Sequence, residues 1–397
     1  MRTDSANYPI DQQPGCSDLI CLSHLRWNFV FQRPQHLMTR YARTRRVYFV
    51  EEPVFENATE PHVAIDVHDG VVVVVPKLPN GYTAQQSTRA QRAILDQMIV
   101  ANGISRFVLW YYTPLALKFS DHLRPDAVVY DCMDELSAFK DAPAELSALE
   151  HALLRRADVV FTGGQSLYEA KRHLHHNIHA LPSSVDVKHF ATARGNVRDP
   201  LEQRDLPRPR LGFFGVLDER LDIPLLRGVA EARPAWQLVM IGPVVKIDPA
   251  DLPRLPNIHY LGPKRYEELP AYLSGWDLAL LLFARNEATR FISPTKTPEY
   301  LAAGKPVVST SIRDVVTPYG DRDLVRVADT VDGFIHQCAN ALREVPEPRR
   351  VRADVFLRSM SWDRTWAKTA VLVDAAGSRV PAPAARAIRS TDLHVGA

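Results

Sequence analysis

Residues 293–310 read SPTKTPEYLAAGKPVVST, and no other stretch of the sequence indicates the fold as strongly. Pro294 and Pro298 fit the first turn of a helix, where an absent N–H group costs nothing. Gly304 is placed to end that helix, and the short apolar run Val307–Ser309 follows it. The pattern therefore predicts a loop, a helix and a buried strand, which together form one unit of a parallel α/β sheet.

The start of this predicted helix combines features that bind a diphosphate. A helix N-terminus presents unpaired N–H groups and partial positive charge, and Lys296 adds a full charge there. Glu299 falls about one helical turn after Thr295 on the same face, where its carboxylate can accept hydrogen bonds from a ribose diol. This spacing suits a nucleotide-sugar site. An ordinary strand–helix unit with a surface lysine is the alternative that spacing alone leaves open.

The segment resembles the donor-binding signature of GT-B glycosyltransferases of the retaining family 4, or group 1, type. The resemblance of the second half covers residues 208–330. The first half of the chain resembles a bacterial subgroup of the family. The other segments that carry it are CLSHLRWNFVFQRPQHL at 21–37, YDCMDE at 130–135, RLGFFGVLDERLD at 210–222, QLVMIGP at 237–243, NIHYLG at 257–262 and residues 266–272.

The resemblance implies the GT-B architecture, in which two Rossmann-like, doubly wound parallel-sheet domains enclose a cleft and a C-terminal helix crosses back to the first domain. It implies a hexosyltransferase-type enzyme that moves a sugar from a nucleoside-diphosphate donor, a UDP-sugar, to a carbohydrate or lipid-linked glycan acceptor. The implied reaction retains configuration, needs no metal or cofactor, and serves cell-surface polysaccharide or glycoconjugate synthesis. A nucleotide-sugar epimerase of the same fold and a catalytically silent nucleotide-binding scaffold remain as alternatives.

Length and composition set outer limits on the interpretation. A chain of 397 residues predicts two domains, and a formal net charge of +2 provides no strong field for nucleic acid. The four cysteines lack CxxC spacing, which indicates reduced thiols. Neither a signal peptide nor an apolar run of membrane-spanning length is present, so we expect a cytoplasmic protein. Basic runs at 40–46 and 171–172 suggest peripheral contact with anionic lipid.

Short apolar runs alternate with helical patterns along the chain, as a doubly wound sheet requires. The predicted strands are 19–22, 47–50, 71–75, 107–110, 127–130, 159–162, 211–214, 238–241, 258–260, 278–282, 307–309 and 325–327. The predicted organisation is a disordered segment at 1–17, an acceptor-binding domain at 18–192, a linker rich in charge and proline at 193–209, a donor domain at 210–360, a crossover helix at 361–375 and a disordered tail at 376–397.

Loops that follow strands of the second half supply the rest of the predicted donor site. Gly215 permits close approach of the backbone to a ligand, and Arg220 is a bidentate donor for the diphosphate. The resemblance assigns the base to the main chain around Gly262. A capped surface loop at 215–222 and a plain turn at Gly242 remain as alternatives. The predicted donor-binding residues are Gly215, Arg220, Gly242, Gly262, Ser293, Pro294, Thr295, Lys296 and Glu299.

The first half supplies the candidate catalytic and acceptor-binding residues. Arg33, Gln35 and His36 are polar groups in an aromatic segment, where burial is costly unless they are paired. We predict that they line the cleft: Arg33 binds an anion, His36 lies near the acceptor, and Gln35 and Glu51 contact acceptor groups. A helix start with an arginine salt bridge is the alternative for Arg33, and an exposed loop acid is the alternative for Glu51.

Asp134 in the YDCMDE segment is the favoured catalytic carboxylate. It follows an apolar strand, where it could orient an acceptor hydroxyl or act as a base. Asp131 and Asp134 with a nearby arginine are also a common structural device, and this alternative stays open.

Two departures from the family pattern leave the donor sugar undetermined. Phe291 stands where many members carry a glutamate that contacts the sugar, and Ser183-Ser184 replaces a usual Asn-Gly. A histidine cluster also lacks a cysteine or acid at ligand spacing, so a solvated face is favoured over a zinc site. Its members are His173, His175, His176 and His179.

Overall fold

The computed structural model describes residues 17–378, which form two α/β units, each built on its own sheet. The strands of the first sheet in this range are β1 (Asp18–Leu22), β2 (Val47–Val50), β3 (Val54–Glu56), β4 (His62–His68), β5 (Val71–Pro79), β6 (Phe107–Tyr111), β7 (Ala127–Cys132), β8 (Val159–Thr162) and β9 (Ile178–Ala180). Those of the second are β10 (Arg210–Phe214), β11 (Gln237–Ile241), β12 (Ile258–Tyr260), β13 (Leu278–Leu281), β14 (Val307–Ser309) and β15 (Arg326–Val327).

Helices connect the strands and cover the faces of both sheets. They are α1 (Arg33–Tyr41), α2 (Ala84–Ala101), α3 (Leu117–Ser120), α4 (Leu146–Arg156), α5 (Gln165–Lys171), α6 (Val187–Ala191), α7 (Leu201–Arg204), α8 (Ile223–Ala232), α9 (Leu269–Ser274), α10 (Lys296–Ala302), α11 (Arg313–Tyr319), α12 (Val331–Arg343), α13 (Pro346–Leu357) and α14 (Trp362–Gly377). Across residues 17–378, none of the helices has the length and apolar character needed to cross a bilayer.

Both sheets reverse their strand order near the middle. The first runs β3-β5-β2-β1-β6-β7-β8-β9, with β4 antiparallel to β5, and the second runs β12-β11-β10-β13-β14-β15. In open parallel sheets, ligands bind outside the carboxyl ends of strands where the order reverses. The loops after β1 and β10 are therefore the natural walls of a binding cleft, and the fold has the doubly wound character that the sequence predicts.

Each predicted strand is present, although β5 extends four residues past its predicted end, to Pro79. Three strands were not predicted: β3, β4 and β9. Most positions of β4 are exposed, and β3 and β9 have three residues each, so none of them carries the buried apolar run from which the other strands are recognised.

The segment 193–209 is anchored on the second unit rather than free. The Arg194 guanidinium donates from Nε to the carbonyl oxygen of Ala302 at 2.7 Å, at the end of α10. Gln203 in α7 is fully buried and donates to the carbonyl oxygen of Tyr272 at 2.9 Å. These bonds hold the connection between the units against α9 and α10.

Helix α14 returns to the first unit, as predicted for a crossover helix. Trp362 and Val373 join the core on one face of the first sheet, and Thr369 Oγ1 accepts a hydrogen bond from the Tyr41 hydroxyl at 2.9 Å. Helix α14 continues to Gly377, because its apolar spacing persists to Ala376. The predicted start of the disordered tail, at residue 376, is therefore too early. The remaining residues predicted to be disordered, 1–16 and 379–397, lie outside the described residues.

Candidate active site

A cavity of about 150 Å³ lies between the two units, at the carboxyl ends of their strands. A second cavity of about 620 Å³ shares Phe31, Gly215 and Tyr266 with it, so the two form one cleft. Across the cleft, the Phe31 and Tyr266 rings stack with centroids 4.5 Å apart. The smaller cavity brings together these predicted residues: Asp134, Gly215, Arg220, Ser293, Pro294, Thr295, Lys296 and Glu299.

Lys296 is the first residue of α10 and lies in a desolvated position. Its Nζ is 5.8 Å from the ring centroid of Phe213 and 5.9 Å from that of Phe283. Burial lowers the pKa of Lys296, and the Arg220 guanidinium lowers it further. Gly215 has φ +139°, and a Cβ there would lie 2.1 Å from Lys296 Cε, so the glycine makes room for the lysine stem. The free-energy cost of desolvating the Lys296 ammonium is offset when an anion binds beside it.

Gly242 supports this arrangement from behind. Its φ is +144°, and a Cβ would lie 1.8 Å from the carbonyl oxygen of Gly215. Gly242 also lines the larger cavity, whereas Gly262, at φ +69°, forms a turn after β12 and lines neither cavity. Gly242 therefore packs against Gly215, and Gly215 packs against the stem of Lys296.

Arg220 is oriented by a carboxylate of its own loop. Its Nη2 lies 2.6 Å from Asp218 Oδ2, and its Nε donates to both oxygens of Asp218. The guanidinium carbon is 5.5 Å from the ring centroid of Phe139, which belongs to the first unit. Arg220 is thus a preoriented cation beside Lys296.

Asp134 is the contribution of the first unit to the smaller cavity. Burial raises the pKa of Asp134, while Arg220 and then Lys296 lower it. A carboxylate of one unit therefore faces two cations of the other. The charge of the two cations suits a diphosphate, and the carboxylate of Asp134 lines the same cavity.

Glu299 is 7% exposed and lines the same cavity. Burial raises the pKa of Glu299, and Lys296 lowers it. The next residue fixes the helix, because the Tyr300 hydroxyl accepts a hydrogen bond from the Phe214 N–H at 3.0 Å. Helix α10 is therefore tied to the end of β10, which places the carboxylate of Glu299 at a constant position in the cleft.

Arg33 does not reach the cleft. Its guanidinium is 1% exposed, lies 2.9 Å from Asp131 Oδ2 through Nε, and donates from Nη1 to the carbonyl oxygen of Leu181 at 2.7 Å. Asp131 is fully buried. The structure thus places Arg33 in a buried ion pair, the alternative considered above, because Asp131 neutralises it inside the first unit.

His36 and Gln35 line neither cavity, although the His36 ring contacts Phe31 and Tyr266, which line both. The His36 ring stacks on Trp362 of α14 with centroids 4.4 Å apart, and burial holds the pKa of His36 well below its usual value. Gln35 closes the start of α1: its Oε1 accepts from the Gln32 N–H at 3.0 Å, and its Nε2 donates to the Trp27 carbonyl oxygen at 2.7 Å. The hydrogen bonds of Gln35 organise the segment after β1, and the His36 ring packs between that segment and α14.

Glu51 is likewise occupied within the first unit. Its carboxylate accepts a hydrogen bond from the Trp27 N–H at 2.8 Å and lies 3.0 Å from Arg26 Nη1. The structure therefore buries the acid that we expected at the acceptor.

Basic and histidine clusters outside the cleft are engaged in local contacts. Within residues 17–378, no group of three or more His, Cys, Asp or Glu residues is arranged to hold a metal ion. Apart from Arg172, which is exposed, the basic side chains proposed for lipid contact form ion pairs within the described residues, and membrane contact stays a prediction. The pairs are Arg40–Asp363, Arg43–Asp363, Arg45–Asp374, Arg46–Asp18 and Lys171–Glu150.

His24, which follows β1, should make the folded protein sensitive to acid. Burial lowers the pKa of His24 to about 4, against a partial rise from a backbone hydrogen bond to Tyr112. The unfolded chain therefore binds this proton at a higher pH than the folded chain does, and stability falls as pH drops from about 6.5 to 4. His24→Gln should remove about 2.5 kcal/mol of this acid-induced loss, measured by urea unfolding at pH 7.5 and 4.5. His122→Gln is the control, and an unchanged acid loss in His24→Gln would contradict the assignment.

Sequence comparisons relate the chain to known proteins. Residues 208–344 match the family described as glycosyl transferases group 1. The putative teichuronic acid biosynthesis glycosyltransferase TuaH of Bacillus subtilis (strain 168) is 28% identical over 238 residues, which is 55% of this chain and 59% of that protein. The chain thus spans less than two thirds of the length of this relative.

Solved structures match over nearly the whole chain. Sucrose-phosphate synthase from Thermosynechococcus elongatus has a TM-score of 0.67 at 13% identity, covering 91% of this chain and 99% of its own. A structure described as trehalose-6-phosphate from E. coli bound with UDP-2-fluoro glucose has a TM-score of 0.68 at 10% identity, covering 92% of this chain and 100% of its own. The catalytic domain of Arabidopsis thaliana starch synthase IV, bound to ADP and acarbose, has a TM-score of 0.65 at 9% identity, covering 91% of this chain and 100% of its own. At such identities the likeness shows the GT-B fold alone.

Proposed function

We propose that the chain is a group 1 glycosyltransferase, the family that residues 208–344 match, and that it transfers a sugar from a UDP-sugar to a carbohydrate or lipid-linked glycan acceptor. The transfer retains the configuration of the anomeric carbon and serves synthesis of a cell-surface polysaccharide or glycoconjugate. The relative TuaH, whose name places it in teichuronic acid biosynthesis, supports this assignment of the process.

The observation that carries the proposal is the meeting of Lys296 and Arg220 of the second unit with Asp134 of the first in one desolvated cavity. Negative charge grows on the leaving diphosphate as the glycosidic bond breaks. Two preoriented cations in a site of low dielectric stabilise that charge more than water does. Asp134 then lies opposite them, where it can orient the incoming acceptor hydroxyl.

Glu299 completes the donor site in this proposal. Its carboxylate accepts hydrogen bonds from the ribose hydroxyls, which offsets the desolvation by burial that raises the pKa of Glu299. The larger cavity, lined by Tyr266 and Gly242, takes the base. The structures that support the fold carry ligands with different bases, UDP-2-fluoro glucose in one and ADP in another, so the base is the first quantity to measure.

Thermal unfolding in the presence of nucleotides tests the donor site. A ligand at 100 times its Kd should stabilise the folded protein by about 2.7 kcal/mol. We expect UDP and UDP-sugars to raise the Tm more than ADP or GDP species do, and Glu299→Ala to lose this shift. Glu231→Ala, an exposed acid on α8, is the matched control. Equal Tm values with and without every nucleotide would contradict the proposal.

Product analysis separates the transferase from its alternatives. A transferase forms a new glycoside only when an acceptor is present. Release of an epimeric sugar from the donor alone would indicate an epimerase, and nucleotide binding without turnover on any acceptor would indicate a silent scaffold.

A further inference from the structure

Two consecutive glycines, Gly163 and Gly164, follow β8 and lie between the loops of the candidate site. A Cβ on Gly163 would lie 2.2 Å from the carbonyl oxygen of Met133, the residue before Asp134. A Cβ on Gly164 would lie 2.7 Å from the Cβ of Ser293, at the start of the donor loop. Neither position has room for a side chain. The pair therefore sets the spacing between the Asp134 loop and the donor loop.

Asp314 holds this contact from the second unit. It is 5% exposed, and its Oδ1 accepts a hydrogen bond from the Ser166 N–H at 2.9 Å, in the first turn of α5. Its Oδ2 would lie 2.1 Å from a Cβ on Gly164, and among the described residues it has no hydrogen-bond partner. Beside it, Arg313 forms an ion pair with Glu169, also on α5. The start of α5 is thus bonded across the boundary between the units.

The opposite end of α5 is tied to the Asp134 loop. Lys171, its last residue, is 6% exposed at the side chain, and its Nζ lies 2.8 Å from Glu135 Oε2 and 2.8 Å from Glu150 Oε2. Glu135 is the residue after Asp134. Helix α5 therefore links the second unit, at one end, to the residue next to the catalytic candidate at the other.

We propose that Asp314 and Gly164 are positioning residues, which set the donor loop against Asp134 through the backbone of Ser166 and helix α5. The inference rests on the proposed function, since it concerns the alignment of that same site. Asp314 lines neither cavity of the cleft and acts only through its contacts with the first unit. An error of about 1 Å in the distance between reacting groups lowers the rate by about 10²-fold, so a contact of this kind controls turnover without touching substrate.

The first test replaces Asp314 by asparagine, which keeps the shape and removes the charge. We expect kcat to fall about tenfold, corresponding to loss of a charge-assisted hydrogen bond, while the donor Kd stays within a factor of two. Asp329→Asn is the matched control, because Asp329 accepts the same kind of bond from the Ser311 N–H at 2.8 Å but within the second unit. Equal kcat values for the two variants would overturn the role of Asp314.

The second test replaces Gly164 by alanine, with Gly320→Ala as control. The added methyl meets Ser293 and Asp314 at position 164, whereas at Gly320 the nearest atom is 3.6 Å away and φ is −60°. We expect Gly164→Ala to bind UDP normally, to lose about 10²-fold in kcat, and to have a larger radius of gyration by X-ray scattering with UDP bound. A wild-type radius and wild-type kcat would overturn the proposal.

The scattering readout separates this inference from the proposed function. If the wild type shows no transfer and the radius of Gly164→Ala is nevertheless larger, the function fails and the positioning contact stands. If the wild type is active and Gly164→Ala matches Gly320→Ala in both measurements, the contact fails and the function stands.

Discussion

Lys296→Met is expected to lower kcat by about 10²–10³-fold, the usual cost of removing one donor that stabilises charge in a transition state. The reason is that Lys296 lies at the start of α10, in the cavity that also contains Arg220 and Asp134. Diphosphate charge rises as the sugar leaves, so the lysine binds the transition state more tightly than the ground state. KM for the donor should therefore change much less than kcat.

The methionine variant also separates catalysis from folding. Its side chain keeps the apolar stem between Phe213 and Phe283, and it removes a cation whose pKa is lowered by burial. Because that burial disfavours the charged form in the folded state, Lys296→Met should be at least as stable as the wild type in urea unfolding. Lys118→Met, at a lysine 36% exposed on α3, is the activity control. A variant with wild-type kcat would remove Lys296 from the mechanism.

The sequence was most informative where one buried run of residues determines local structure. Strand β14 and the helix before it follow from SPTKTPEYLAAGKPVVST, because proline, glycine and an apolar run each restrict the backbone in a known way. Lys296, Glu299 and Arg220 could be assigned to one cleft because loops at the carboxyl ends of strands must converge.

Contacts between distant segments could not be predicted in the same way. Arg33 and Asp131 are 98 residues apart. A salt bridge was an open alternative for each of them, but nothing in either neighbourhood identifies the other as its partner. Gly163, Gly164 and Phe139 were missed for the same reason, because their importance depends on Met133, Ser293 and Arg220, respectively, lying opposite them. The one available signal was the Gly163-Gly164 dipeptide directly after an apolar strand, where glycine often marks close backbone approach.

Arg33→Met is expected to destabilise the fold by about 3–5 kcal/mol, because it leaves the Asp131 carboxylate buried without its partner. The effect should appear as a lower midpoint of urea unfolding with an unchanged slope. The double variant Arg33→Met/Asp131→Leu should regain most of the loss, since replacing both members of a buried pair by apolar groups is often neutral.

This measurement also decides between the two roles considered for Arg33. Arg43→Met is the control, because Arg43 is 58% exposed and its pair with Asp363 should contribute at most about 1 kcal/mol. If Arg33 bound a substrate anion, the single variant would raise KM with little change in stability, and the double variant would stay impaired. With a structural role, the refolded double variant should instead transfer sugar with nearly the wild-type KM, because the guanidinium, paired with Asp131 and the Leu181 carbonyl, lies outside both cavities of the cleft.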